Sequence, residues 1–336
     1  MDAVVYTSPG RLELLDVPEP APAAGEVLLE VAHLGICGSD LLIWEGGLPR
    51  VRPPVVLGHE FSGTVLDPNG VPGLAAGQRV AVEPLLNCGR CAPCVSGQYH
   101  ACRHLRLIGI DVDGAAAPRV AVPAHRLHAL PDSLTLREAA LAEPTAVAVH
   151  MTRRAGVSLG DRVAVLGGGP VGALVALVCR AAGVEHLVVS EPNASRRALL
   201  AQLGLAVFDP TDEDVAALVD GTDGEGFDVV FEITGVPAAL ATSTEIVRVQ
   251  GMVLLGGLPA RPLPLTVASA VLKEVTLRGS RVYSSRDMAE AVRLLDRGAV
   301  PGDRLVTREV PLADAVVGAY ERLRRSPDDM KILISA

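Results

Sequence analysis

Four cysteines, Cys88, Cys91, Cys94 and Cys102, follow one another with the spacing C-x2-C-x2-C-x7-C in a stretch rich in Gly and Pro. Four thiolates on one turn-rich segment can complete a tetrahedral shell around Zn²⁺, and a complete shell leaves no position for a substrate. The spacing therefore predicts a structural zinc site, in a lobe over residues 84–104. The alternative is a disulfide framework. Because the first residues, MDAVVYTSPG, lack the pattern of a secretion signal, we expect a reducing compartment and favour zinc.

The length and composition of the chain exclude several classes of function. Its 336 residues favour two domains over one core. It has 49% hydrophobic and 21% charged residues, and no apolar run approaches the roughly 18 residues that cross a bilayer. We therefore expect a soluble, cytoplasmic protein with no membrane partner. A net charge of -9 and only 3% aromatic residues argue against nucleic acid as a partner.

The pattern of apolar residues changes along the chain. Up to Val82 it consists of short strand-like runs (EVLLEVA, PVVLG, GTVL, RVAV) between Pro and Gly, which indicates an irregular and mostly antiparallel region. Between Asp161 and Gly279, apolar strands alternate with segments of helical length. This alternation predicts right-handed βαβ units, so the fold class is α/β with a doubly wound parallel sheet of Rossmann type. Two helical stretches and a last strand, KILIS, follow.

A glycine motif lies between the first of these strands and the helix after it. In the sequence VAVLGGGPVG, Gly167 permits a tight turn, Gly169 lets the backbone approach a pyrophosphate, and Gly172 allows the helix to pack closely on the strand. The start of the helix, Pro170 and Val171, offers free N–H groups and the positive end of its dipole to the phosphates. We therefore predict that these five residues bind a dinucleotide.

The end of the second strand predicts which dinucleotide is bound. Glu191 lies about 20 residues beyond the glycines, where a carboxylate binds the ribose hydroxyls of NAD and repels the 2′-phosphate of NADP. NAD is therefore favoured over NADP. Arg196 and Arg197 follow closely and could accept a phosphate, or they could be solvated residues of a helix. Arg196, Thr234 and Gly256 complete the predicted cofactor site.

Three further segments contain side chains that a metal could bind. These are GICGSD with Cys37, Ser39 and Asp40, then GHE with His59 and Glu60, and finally AEP with Glu143. Each is common by itself. Together with the cysteine lobe and the nucleotide fold, the ordered set GICGSD, GHEFSGTV, CGRCAPCVSGQYHAC, LAEPTAVAVH, VAVLGGGPVG and FEITG resembles the zinc-dependent medium-chain dehydrogenases over essentially the whole chain.

The resemblance implies a domain arrangement. Residues 1–144 and 282–336 would form a mostly-β catalytic domain of GroES-like fold, which includes the zinc lobe, and residues 145–281 would form the dinucleotide-binding domain. Common alcohol dehydrogenases of the family have a cysteine where this chain has Glu143. A carboxylate there resembles the sorbitol, threonine and butanediol dehydrogenase branches.

The resemblance also implies roles for the polar residues. Cys37 and His59 would ligate a catalytic zinc, while Glu60 and Glu143 would complete its shell or exchange with water and substrate. One Cys, one His and carboxylates suit a shell with an open position, which catalysis requires. Ser39 would accept the proton of the substrate hydroxyl, although it could be a turn hydroxyl. Asp40 would orient a ligand such as His59.

Two departures from the family pattern concern the substrate. Polyol and threonine enzymes often have a histidine three residues after the serine, and this chain has Leu42. Polyol enzymes also often have Arg-Tyr near the start of the returning segment, where this chain has Val282-Tyr283. We therefore expect a more apolar pocket than that of sorbitol dehydrogenase.

The predicted function is reversible, NAD-dependent oxidation of a secondary alcohol to a ketone, with two Zn²⁺ per chain. The substrate would be a small molecule, namely a diol, polyol, cyclitol or amino alcohol, and the protein a homodimer or homotetramer. Two alternatives stay open at this point. One is an amino-alcohol or aminocyclitol dehydrogenase of a biosynthetic pathway. The other is a non-catalytic relative that binds nucleotide in a structural or regulatory role.

Overall fold

A computed structural model describes residues 1–259, 261–265 and 267–336. The chain divides into two compact units, which are residues Met1–Ala146 with Ser284–Ala336, and residues Val147–Tyr283. The division falls within one helix, Ala142–Ala155. The sequence predicts boundaries at residues 144 and 282 between a catalytic and a dinucleotide-binding domain. The assignment of these roles to the two domains remains a prediction.

The first segment of the chain consists mainly of short strands. Its strands are β1 Asp2–Ser8, β2 Arg11–Asp16, β3 Glu26–Gly35, β4 Val55–Val56, β5 Glu60–Asp67, β6 Arg79–Val82, β7 Leu85–Leu86, β8 Arg106–Leu107, β9 Arg119–Pro123 and β10 Leu127–Ala129. Its helices are α1 Gly38–Trp44, α2 Ala92–Val95 and α3 Leu136–Ala139, followed by α4 Ala142–Ala155. In β3 the side chains of Val27, Leu29 and Val31 are buried in alternation, as expected of a strand with one face on the core.

The second unit is a parallel sheet with helices between its strands. The strands are β11 Arg162–Leu166, β12 His186–Ser190, β13 Ala206–Phe208, β14 Phe227–Glu232, β15 Val247–Leu255 and β16 Thr276–Gly279. The helices are α5 Pro170–Ala181, α6 Ala194–Gln202, α7 Val215–Asp220, α8 Pro237–Ile246 and α9 Val267–Leu272. The spatial order is β13-β12-β11-β14-β15-β16, and every pair is parallel. This is the doubly wound Rossmann order, with its reversal beside β11, and the predicted fold class is confirmed.

The last segment returns to the first unit. It contains α10 Ser285–Asp296, α11 Gly302–Leu305, β17 Val306–Pro311, α12 Arg322–Arg325 and β18 Lys331–Ser335. The strands β17 and β18 complete a sheet with the order β10-β6-β5-β3-β18-β17, in which β9 also pairs with β3. The stretch predicted as the second helix is irregular, because a π-helix at Val316–Glu321 precedes α12. Gly318, a weak helix former, lies in this π-helix.

Two strands of the parallel sheet were not predicted from the sequence. β13 has only three residues and β16 only four, and runs this short give little periodic signal. Among the residues that the structure describes, no helix combines the length and the apolar character that crossing a membrane requires.

Candidate active site and metal centres

The four clustered cysteines converge in the first unit. Their Sγ atoms all lie within 4.8 Å of one another. The Sγ atoms of Cys91 and Cys94 are 3.5 Å apart, and those of Cys91 and Cys102 are 3.8 Å apart. A tetrahedral shell with Zn–S bonds of about 2.3 Å places neighbouring sulfurs about 3.8 Å apart. The four thiols are free, so their arrangement fits a metal and does not form the alternative disulfide framework.

Backbone N–H groups favour the thiolate form of two of these thiols, whereas burial raises the pKa of Cys102 to about 11. Hydrogen bonds from the N–H groups of Arg90 and Cys91 lower the pKa of Cys88. The N–H groups of Arg103 and Cys94 similarly lower the pKa of Cys91. Since a metal binds the thiolate form, these donors stabilise the ligands in the state that binds zinc.

Three contacts described below attach this lobe to the rest of the unit. The antiparallel pair of β7 and β8 brings its two ends together. Tyr99 from the lobe donates a hydrogen bond of 2.9 Å to Glu83, a fully buried carboxylate that also binds Arg126 and Ser285. Asn87 in turn accepts a hydrogen bond from Arg126 and donates one of 3.5 Å to the Sγ atom of Cys94. A polar network thus extends from the core of the unit to a predicted zinc ligand.

A second group of potential metal-binding side chains lies where β3, β5 and β18 of one sheet meet. Gly35 at the end of β3 pairs with Glu60 at the start of β5, and also with Leu333 of β18. Cys37 follows β3 by two residues, and the potential ligand atoms of Cys37, His59 and Glu60 lie within 4.8 Å of one another. The sheet register therefore brings together side chains from distant parts of the sequence.

Asp40 fixes both Cys37 and His59. One carboxylate oxygen accepts a hydrogen bond of 2.9 Å from the backbone N–H of Cys37, and the other lies 3.4 Å from His59 Nδ1. Burial lowers the pKa of His59, but the Asp40 carboxylate and then Cys37 raise it, so the net pKa is well above its usual value. With Nδ1 facing Asp40, Nε2 faces the other way, 3.4 Å from the Ser39 hydroxyl. The donor set fits a metal bound at His59 Nε2, with Ser39 beside it.

Glycine backbone packs directly behind His59. Gly58 has a φ of +101°, which favours glycine. A Cβ at Gly109 would lie 2.2 Å from the carbonyl oxygen of Gly58, and a Cβ at Gly114 would lie 2.3 Å from it. Neither contact is possible for a larger residue, so these two glycines set the position of the chain just before His59.

Lys331 is a site residue for which sequence reasoning proposed no role. It is 3% exposed, forms an ion pair with Glu60, and donates a hydrogen bond of 2.9 Å to the carbonyl oxygen of Ile36. Burial lowers its pKa, but Glu60, then Cys37 and also Glu143 raise it, with a net increase. In the sequence, the signal for this ion pair is the single lysine at the start of the apolar strand KILIS. A lysine buried in such a strand requires a charged partner.

Glu143 lies near this group but outside the set that could bind one ion together. It is 6% exposed, in the first turn of α4, and its negative charge acts on Lys331. The compact set within 4.8 Å consists of Cys37, His59 and Glu60. Glu143 therefore stays a predicted ligand, and Glu60 is the carboxylate that the structure places beside Cys37 and His59.

The glycine turn of the second unit leaves room for a phosphate. Gly167 has a φ of +104°, and a Cβ there would lie 2.6 Å from Thr234 Cγ2. A Cβ at Gly172 would lie only 1.7 Å from the carbonyl oxygen of Gly167. At Gly169 the nearest heavy atom would be Nη1 of Arg196, at 3.5 Å. Since Gly169 caps a helix that begins with Pro170 and Val171, this space fits an anion.

Glu191 lies directly beside this turn. Glu191 is 5% exposed, and its carboxylate accepts hydrogen bonds from the backbone N–H groups of Gly168, at 2.9 Å, and Asn193, at 2.8 Å. The two arginines that follow have different environments. Arg196 reaches Gly169, whereas Arg197 is bound to Asp209 and to the carbonyl oxygen of Glu191. Asp209 already neutralises Arg197, and sequence reasoning did not identify this partner.

A cavity of about 310 Å³ lies at the carboxyl ends of the strands, and Gly167, Pro192, Phe208 and Thr234 are among the residues that line it. Thr234 is held by Glu232, which accepts hydrogen bonds from its backbone N–H and its hydroxyl. This buried glutamate was not singled out in the sequence. Gly256 donates its N–H to the carbonyl oxygen of Glu232 at 2.8 Å, and a Cβ there would meet Met151.

Two parts of the chain match the models of two known protein families. Residues 23–132 match the model of the alcohol dehydrogenase GroES-like domain, and residues 170–297 match that of the zinc-binding dehydrogenases. A 2-dehydro-3-deoxy-L-galactonate 5-dehydrogenase of Pseudoalteromonas atlantica is 39% identical over 99% of this chain and 98% of its own. The chain belongs to the zinc-dependent medium-chain dehydrogenases.

Other members of this dehydrogenase family are similar over almost the full length. An L-threonine 3-dehydrogenase of Pyrococcus horikoshii is 36% identical over 96% of this chain and 95% of its own. A Sinorhizobium meliloti protein, solved with NADP bound and described as a zinc-binding dehydrogenase, has a TM-score of 0.92 and 32% identity, covering 100% of this dehydrogenase and 99% of its own chain.

Proposed function

We propose that this protein transfers a hydride between a secondary alcohol and a nicotinamide cofactor, giving the ketone, and that it also catalyses the reverse reduction. The observation that supports this most directly is the set of Cys37, His59 and Glu60 within 4.8 Å. One thiolate, one imidazole and one carboxylate form the mixed shell of a catalytic zinc, in contrast to the closed shell of four thiolates in the lobe. Both named relatives act on a secondary alcohol or its ketone, which agrees with this proposal.

The residues of the site have distinct parts in this reaction. Cys37, His59 and a glutamate would hold a zinc ion, which would supply a Lewis acid for the oxygen of a bound alcohol. Ser39, 3.4 Å from His59 Nε2, accepts the proton of the substrate hydroxyl and passes its own proton towards solvent. Asp40 holds the imidazole in its ligating orientation.

Lys331 influences how Glu60 takes part in metal binding. Its ammonium group pairs with one oxygen of Glu60, and this pairing competes with metal binding by the same carboxylate. Glu60 would therefore be the more weakly held carboxylate ligand. Glu143, at the start of α4, would be the carboxylate that completes the shell.

The experiment that tests the function is a screen of NAD and NADP reduction, followed at 340 nm, against diols, polyols, sugar acids, cyclitols and amino alcohols. His59→Ala serves as the blank. Oxidation of at least one secondary alcohol, lost in His59→Ala, supports the proposal. Equal rates in the two proteins would contradict it. Nucleotide binding by a protein that is inactive on the whole panel would favour the non-catalytic alternative.

The proposal also covers the zinc content, the oligomeric state and the cellular compartment. We infer two zinc ions per chain, a homodimer or homotetramer, and a reducing cytoplasm. Strand β16 is an edge of the parallel sheet, and Val271 and Leu272 of the adjacent helix α9 are 66% and 83% exposed. An exposed edge and an apolar patch together favour pairing with a second copy. Sedimentation of a monomer at micromolar concentration would contradict this.

NAD is the proposed cofactor because two backbone N–H groups hold Glu191 next to the glycine turn, where the motif predicts the ribose. A 2′-phosphate would lie against this buried carboxylate, and such like-charge contacts cost several kcal/mol. Although one similar structure contains NADP, we expect the wild type to have the higher kcat/KM with NAD. Glu191→Ala is expected to lower kcat/KM for NAD and raise it for NADP. A wild-type preference for NADP would show that Glu191 does not select the cofactor.

A further inference from the structure

Arg197 is held in place by three acceptors at the edge of the predicted nucleotide site. Its Nη1 donates hydrogen bonds to the carbonyl oxygens of Glu191, at 2.8 Å, and Pro192, at 2.6 Å. Its Nη2 forms an ion pair with Asp209. The side chains of Arg197 and Asp209 are 20% and 11% exposed, so water screens this pair only partly.

Asp209 is itself rigidly positioned. Its Oδ1 accepts hydrogen bonds from the backbone N–H of Thr211, at 3.0 Å, and from the Thr211 hydroxyl, at 2.6 Å. Its Oδ2 faces Arg197. The hydrogen bonds from Thr211 and then the charge of Arg197 lower the pKa of Asp209, so it is ionised at neutral pH.

The pair lies where the adenosine ribose is expected. Glu191 follows β12 and Asp209 follows β13, its neighbour in the sheet. Pro192, whose carbonyl binds Arg197, lines the cavity at the carboxyl ends of these strands, as do Phe208 and Pro210 on either side of Asp209. An arginine at this edge would be able to bind a 2′-phosphate if its charge were free.

We propose that Asp209 is a second determinant of cofactor choice, which keeps Arg197 from binding the 2′-phosphate of NADP. The inference rests on the proposed function, because it assumes that this edge receives the adenosine ribose. Asp209 and a phosphate compete for the same guanidinium donors. Removing Glu191 alone therefore eliminates a repulsion without supplying an attraction, and the preference for NADP develops fully only when Asp209 is also neutralised.

Asp209→Asn is a conservative way to release Arg197. The Oδ1 of asparagine can keep both hydrogen bonds from Thr211, so the turn after β13 is retained. An amide nitrogen then replaces Oδ2, and it cannot accept a hydrogen bond from Arg197. The substitution removes both the negative charge and the acceptor while adding no bulk.

The test measures binding of adenosine 2′,5′-bisphosphate and of 5′-AMP by calorimetry, which requires neither metal nor substrate. The proteins are the wild type, Glu191→Ala, Asp209→Asn and the double variant. We expect the ratio of the affinity for the bisphosphate to the affinity for 5′-AMP to rise modestly in Glu191→Ala. In the double variant it should rise by about a further tenfold or more, the usual effect of a hydrogen bond to a charged group.

Two controls identify the residue responsible. Adding Arg197→Ala to the double variant should cancel the additional gain. Asp228→Asn changes another partly buried Asp–Arg pair, with Arg248 at 2.6 Å near the amino end of β14, and should leave the ratio unchanged. Asp209→Ser is the second variant that removes the charge, in case Asp209→Asn folds poorly.

The outcomes distinguish this inference from the proposed function. If the double variant has the same ratio as Glu191→Ala, or keeps its gain without Arg197, the role of Asp209 is wrong. If Glu191→Ala has the same ratio as the wild type, the proposed role of Glu191 fails, while the comparison of Asp209→Asn with the wild type still tests Asp209. If the proposed alcohol dehydrogenase activity is wrong, only the substrate screen would show it.

Discussion

Cys37→Ser is expected to lower kcat/KM by about 10³-fold or more, because a Lewis acid contributes several kcal/mol to stabilising the charge that develops on the substrate oxygen. The hydroxyl of serine is a much poorer zinc ligand than a thiolate, and among the described residues three side chains form the compact set at this site. Cys37 lies two residues beyond β3, so the sheet does not depend on it. The variant should fold normally and still bind nucleotide.

Zinc content and melting temperature test this expectation. The wild type should contain about two zinc ions per chain, and Cys37→Ser about one. Mild chelation of the wild type should likewise remove one ion together with the activity. Cys179→Ser is the matched control, since Cys179 is fully buried in α5, outside both groups of potential ligands. Full activity with a single bound ion would contradict the assignment of Cys37.

Local sequence patterns were sufficient to predict the fold class. The alternation of strands and helices between residues 161 and 279 predicted the parallel sheet, and the glycine motif predicted a turn whose close contacts at Gly167 and Gly172 exclude side chains. These features depend on residues that are neighbours in the sequence. The short strands β13 and β16 escaped prediction, because their pairing is set by the sheet and not by their own propensity.

The sequence was less informative where the site depends on distant residues. Lys331 reaches Glu60 across the sheet, and Gly109 packs on the backbone next to His59. Neither relation has a local pattern. Asp209 is a similar case, since it follows a three-residue strand and its role depends on Arg197 from another element. Predicting such partners requires the register of the sheets, which propensity and periodicity do not supply.

Substitution of a cysteine in the lobe is expected to lower the stability of the protein, whereas substitution of Cys37 is expected to lower its activity. The residues of α2, inside the lobe, are exposed or half-buried, and Val95 is 74% exposed. A segment that buries so little apolar surface gains little stability from packing. A structural zinc site of four ligands contributes on the order of 10 kcal/mol to folding. The metal should therefore account for most of the stability of residues 84–104.

Cys94→Ser is accordingly expected to lower the melting temperature by about 10 °C or more, at about 2–4 °C per kcal/mol. Cys37→Ser should lower it far less. Asn87→Ala is an informative intermediate, since it removes one donor to Cys94 Sγ but leaves all four thiolates. Differential scanning calorimetry and zinc release rates would compare the three variants. If Cys94→Ser and Cys37→Ser lost equal stability, the division into a structural and a catalytic metal would be wrong, because only the lobe depends on its metal for order.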